Sequence, residues 1–151
     1  MIGLSILAAL VLSTPGPLSL YVRDGAWVRL EVSVDPLSTR HGITTKAVAA
    51  QAEDALKGCG HPVDPGATST ILVLVRGAER KDEFVATVMV RARHQSVVNG
   101  SMLTVDLYED EKTVPGPAGE EAAKVKAHLT RQLQILCGDA PLEPANGKAA
   151  K

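Results

Sequence analysis

The stretch from 70 to 108 decides the fold: TILVLV at 70–75, FVATVMVRA at 84–92 and, beyond Asn99-Gly100, SMLTVDLY at 101–108. Ile71 to Val75 is apolar at every position, so an extended chain there buries both faces, which marks an interior strand. Phe84, Ala86, Val88, Val90 and Ala92 alternate with Val85, Thr87, Met89, Arg91 and Arg93, the pattern of a half-buried strand. Gly77 to Asp82 reads as the polar turn between the two. Asn99-Gly100 is a hairpin signal because both residues tolerate positive φ, and Leu103, Val105 and Leu107 alternate beyond it in a strand ending near Tyr108.

Upstream, Val28, Leu30, Val32 and Val34 alternate with Arg29, Glu31 and Ser33 in a first strand that Pro36 closes. Ser38 to Gly42 reads as a loop, and Thr44 or Thr45 as the N-cap of a helix whose apolar stripe is Val48, Ala52, Ala55, Leu56 and Cys59. Gly60 stands where the chain leaves that helix. Downstream, Glu109 to Lys112 begins a charged connection to Ala118, where a second helix carries Ala122, Val125, Leu129, Leu133 and Leu136 inward and ends before Gly138. The expected fold is α+β: a two-layer sandwich of order βαβββα over residues 26 to 139, one domain, with a four-stranded, mostly antiparallel sheet and two helices on one face.

A right-handed crossover makes the first two strands parallel, and two hairpins then bring the second helix down the same way as the first. Both carboxyl ends lie at one edge, and those ends carry Cys59 and Cys137. A thiol at a helix carboxyl end meets the negative pole of the dipole, which disfavours thiolate and opposes use as a nucleophile. The expectation is a structural Cys59–Cys137 disulfide.

Compartment follows from the amino terminus. Ile2 to Leu12 is an uncharged apolar run broken by Ser13, Thr14 and Pro15, the shape of a signal-peptide core, so residues 1 to 19 are expected to be a signal peptide. Eleven helical residues rise only about 16 Å, too little for a stable membrane span. A periplasmic or extracellular protein is expected, with 140 to 151 as a disordered tail. The formal net charge of −1 removes the electrostatic footprint of nucleic-acid binding. Aromatic residues at 3% leave little for stacking platforms.

No motif carries chemistry. His41, His61, His94 and His128 are scattered without ligand spacing, so no metal and no cofactor is expected. Ser, His and Asp occur without a nucleophile elbow, and the chain is read as non-enzymatic. Gln95-Ser96-Val97-Val98-Asn99 resembles the Q-x-V-x-G hairpin of cystatins, but glycine stands at 100 rather than 99 and the hairpin joins other strands.

With both helices on one side, the opposite face of the sheet shows Trp27, Val85, Met89, Met102 and Tyr108 among Arg29, Glu31, Thr87, Arg91, Thr104 and Asp106. A mixed apolar and charged open face fits a protein partner or a second copy of the chain. In element order the chain resembles small envelope domains of the TolB amino-terminal or penicillin-binding-protein-activator type, which implies an accessory protein-binding role. The alternative is a small-ligand binder or hydrolase with a site built from loops 38 to 42, 61 to 68 and 94 to 100.

Overall fold

A computed structural model describes residues 26 to 81, 83 to 116 and 119 to 138; the expected signal peptide at 1–19 and tail at 140–151 lie outside the described residues. The elements are β1 (Arg29–Val34), α1 (Pro36–Arg40), α2 (Thr45–Gly58), β2 (Ser69–Arg80), β3 (Glu83–Val98), β4 (Ser101–Gly116) and α3 (Glu121–Cys137). The sheet order is β1-β2-β3-β4, with β1 and β2 parallel and the other two pairs antiparallel. The α+β sandwich read from the sequence is the fold found.

Three boundaries differ, the first through a local helix start and the other two because strand pairing overrides local polarity. The loop expected at 38–42 holds α1, five residues begun by Pro36 and capped by Asp35, whose Oδ1 accepts the Ser38 amide at 2.9 Å. The polar residues at 77–80 remain in β2, paired with 83–86, so the turn shrinks to the residues around Lys81, whose φ is 56°. Glu109 to Lys112 is strand, not connection, because β3 continues beside it and satisfies its backbone as far as Gly116. Asn99 and Gly100 take φ of 51° and 78°, the turn their identities require.

The core lies between the sheet and the two long helices. Ile71, Val73, Val75, Val88 and Val90 rise from the central strands to meet Leu56 of α2 and Leu129, Leu133 and Leu136 of α3, all without measurable exposure. Gln132 sits among them and its amide nitrogen donates to Val88 O at 3.1 Å and Asp110 O at 3.3 Å, tying α3 to the β3–β4 seam. Gln51 joins the helices at the surface, donating to Lys126 O and Thr130 Oγ1 at 2.8 and 2.7 Å.

Cys59, at the end of α2, and Cys137, the last residue of α3, are disulfide-bonded with Cα atoms 5.9 Å apart. This is the bridge that the parallel course of the helices predicts. Gly138 follows at φ 83°, ending α3 in the left-handed conformation.

Candidate functional site

Register assigns the side chains of the face that no described element covers. Glu31, Leu72, Arg91 and Glu109 form one row across the sheet, and Ser33, Leu74, Met89 and Glu111 the next. Val85 lies one row beyond Thr87 on the same face. Leu72, Leu74, Val85 and Met89 are all partly exposed there, whereas their neighbours Val73, Val75, Val88 and Val90 are sealed under the helices. Ion pairs flank this apolar centre: Arg91 to Glu109 at 2.6 Å and Arg93 to Asp106 at 2.7 Å toward β4, and Arg29 to Glu31 at 3.2 Å on β1.

Of the five side chains expected on this face, Val85 and Met89 lie on it along β3, two rows apart with Thr87 between them. Met102 is on the same face but opposite Val97, eight residues along β3 from Met89, or about 27 Å at the rise of an extended strand. Trp27 precedes β1 and is 56% exposed.

Tyr108 is on the other face. The β3–β4 ladder shifts between Ala92 and Arg93: Ala92 pairs with Tyr108 and Arg93 with Asp106, leaving Leu107 as an extra residue. Such a bulge reverses the alternation beyond it, so period-two counting from Met102 points Tyr108 the wrong way. Its ring instead lines a cavity of about 390 Å³ between β4 and α3, with Asp110, Lys112, His128, Arg131 and Gln132. Burial, with a smaller contribution from the charge of Asp110, pushes the Tyr108 hydroxyl up to about 12, so it remains a donor at neutral pH.

The three loops of the alternative site do not converge. Residues 38 to 42 sit where β1 ends, while 61 to 68 and 94 to 100 sit at the opposite end of the sheet, where β2 begins and β3 ends. His61 is buried against Ala26 O at 3.2 Å, and His94 Nδ1 meets Ser69 Oγ at 2.9 Å as a cross-strand pair with Ser69 only 5% exposed. No group of three or more His, Cys, Asp or Glu side chains able to hold a metal ion occurs among the described residues.

One polar cluster is invisible in the sequence. His41 stacks on Phe84 with ring centroids 4.0 Å apart, and its two nitrogens face Glu79 at 3.0 Å and Glu121 at 3.5 Å. Glu121 is held below the usual carboxylate range by its own backbone amide, by Gly119 N–H and by His41, against an opposing effect of burial. The carboxylates lie on opposite nitrogens of the ring, so the cluster joins α1, β2 and α3 rather than forming a ligand cradle.

Comparison with known proteins gives likeness in fold. No protein-family model matches the chain, and no curated protein matches it. Among solved structures, a PelC dodecamer from Paraburkholderia phytofirmans is 15% identical, with 83% of this chain and 94% of that chain covered at a TM-score of 0.49. A Xanthomonas campestris protein of the DUF330 family is 15% identical over 76% of this chain and 85% of its own, at 0.40. A minor lipoprotein from Acinetobacter baumannii is 9% identical over 76% and 90%, at 0.34. These do not include the TolB amino-terminal or penicillin-binding-protein-activator type. No helix among the described residues is long and apolar enough to cross a membrane.

Proposed function

We propose that residues 26 to 139 form an exported, non-enzymatic accessory domain that binds a protein partner or a second copy through the helix-free face of its sheet. The observation that carries this reading is the partly exposed cluster Leu72, Leu74 and Met89 at the centre of that face, with Val85 farther along β3. With ion pairs at its flanks, the patch has the apolar centre and polar rim of a protein interface. The Cys59–Cys137 bridge supports an oxidising compartment outside the cytoplasm, periplasmic or extracellular. The test is Met89→Glu, which places a charge in the apolar centre while leaving the buried face untouched. Loss of self-association or of co-purifying protein from the native compartment is expected; unchanged behaviour in both would refute the reading.

A second reading rests on the cavity between β4 and α3, whose mixture of Tyr108, Lys112, His128 and Asp110 suits a small polar ligand. Saturable chemical-shift changes confined to those residues on adding such ligands would favour it over the open face.

A further inference from the structure

The outermost strand, β4, is guarded along only part of its length. No described element pairs with its outer edge, which runs for sixteen residues. From Asp106 onward that edge has the devices that prevent strand addition: the extra residue Leu107, the charges of Glu109 to Lys112, and Pro115. From Ser101 to Val105 it has none. Residues 95 to 105 contain no charged side chain, and Ser101 to Thr104 lie beyond the end of β2, which stops opposite His94.

The exposed hydrophobic residues concentrate in the same segment. Besides Trp27, the large apolar side chains left open among the described residues are Val97 at 70%, Met102 at 67%, Leu103 and Val105 at 48% and Val98 at 47%. Met102 and Val97 are on the uncovered face; Leu103 and Val105 are on the other, past the reach of the helices. An arm apolar on both faces, with a bare edge between them, is built to become an interior strand.

We propose that Ser101–Val105 pairs antiparallel with the same segment of a second copy, about a two-fold axis at Leu103, joining two four-stranded sheets into one of eight. Leu103 is the midpoint of the uncharged Ser101–Val105 segment, and charge penalises registers centred farther along the strand. Centred on Leu103, Ser101 faces the second copy's Val105, Met102 faces Thr104, and Asp106 falls opposite Gly100 in the turn, so no carboxylate meets another. A register centred on Tyr108 would set Asp106 against Asp110, and one centred on Glu109 would set that residue against itself, both penalised by like-charge repulsion. The two-fold axis is perpendicular to the sheet, so the open faces of both copies lie on one side and remain free. The inference therefore uses a surface separate from the open face and goes beyond the function proposed above.

The test is a charge swap at the axis, read as mass by light scattering across a wide range of concentration. The wild-type chain is expected at twice the monomer mass, and Leu103→Glu and Leu103→Lys are each expected to fall two-fold to the monomer. An equimolar mixture of the two variants is expected to return to the dimer, because only at the axis does residue 103 meet its own counterpart. Leu103 is half exposed, so both variants are expected to keep the wild-type fold, read by circular dichroism. A monomeric wild type, a dimeric Leu103→Glu variant, or a mixture that stays monomeric overturns the proposal. If Met89→Glu dissolves the dimer and Leu103→Glu does not, the copies meet through the open face and only the edge pairing fails. A monomeric wild type that floats with phosphatidylcholine vesicles in a Leu103-dependent way assigns the arm to lipid and likewise overturns it.

Discussion

Asp35 and Gly77, 42 residues apart, are joined by a hydrogen bond of 3.0 Å from the Gly77 amide to Asp35 Oδ2. The other carboxylate oxygen caps α1 through the Ser38 amide, and the Asp35 amide donates to Val75 O at 3.1 Å. One side chain thus fixes where β1 stops, where α1 starts and how both meet β2. Asp35→Ala loses the cap and leaves the Gly77 amide without its acceptor, an expected cost of about 2–3 kcal/mol in urea unfolding.

The same carboxylate makes stability depend on acid. Burial opposes its charge, but hydrogen bonding from Ser38 and Gly77 and the nearby charge of Arg76 prevail, and its pKa is lowered. A lowered folded-state value means the contribution is complete above the unfolded value of about 3.9 and disappears as pH falls through the folded one. Asp35→Asn is expected to flatten the acid limb of a stability-against-pH curve below about pH 4 while leaving its neutral plateau lower.

Gly77 also tests the packing of that corner. A Cβ there would meet Phe84 Cε2 at 2.5 Å and Ser38 Oγ at 3.0 Å, and the Phe84 ring is also stacked on His41. Gly77→Ala is expected to destabilise by about 1–3 kcal/mol, measured by thermal melting, despite sitting in a strand where alanine is ordinarily harmless.

At the alkaline end Tyr108 contributes. Its folded pKa of about 12 exceeds the usual 10, so its contribution is present below pH 10 and is lost as pH rises from there through 12. Absorbance titration of phenolate is expected to show one late-titrating tyrosine that Tyr108→Phe removes.

Gln132 separates hydrogen bonding from volume. Its amide nitrogen serves two sheet carbonyls while Oε1 is buried without a partner, so Gln132→Leu removes the orphan acceptor together with the two bonds. Leucine is expected within about 1 kcal/mol of wild type, alanine about 2–4 kcal/mol lower because of the cavity, and glutamate lower still because a charge would be buried. Urea unfolding gives the order.

The disulfide closes a separation of 78 residues, and the chain-entropy relation gives about 4–5 kcal/mol for a loop of that size. The Cys59→Ser, Cys137→Ser double variant is expected to lose that much in denaturant unfolding. Alkylation without reduction is expected to leave both thiols of the wild-type protein unlabelled.

Whatever depends on period and chain direction is legible in the residues alone. Alternation in β1 and β3, the two-sided apolar run of β2, helical stripes ending at glycines and the Asn99-Gly100 turn are local signals, and they suffice for element order. Handedness of the crossover then makes the helices parallel, which places Cys59 and Cys137 at one edge; the tertiary structure brings their Cα atoms to 5.9 Å. Tertiary structure decided what has no local signal. Pairing with β3 holds Glu109 to Lys112 in a strand, since a backbone ladder outweighs side-chain polarity. A single extra residue at Leu107 turns Tyr108 from the open face to the cavity beneath α3, because facing in a strand is a parity that one insertion reverses. His41, Glu79, Phe84 and Glu121 meet only when four elements, α1, β2, β3 and α3, converge. The face opposite the helices was legible as a surface to which the two-sided apolar β2 contributes, but that Leu74 stands opposite Met89 and Leu72 opposite Arg91 came only from register, which sets which residues stand side by side.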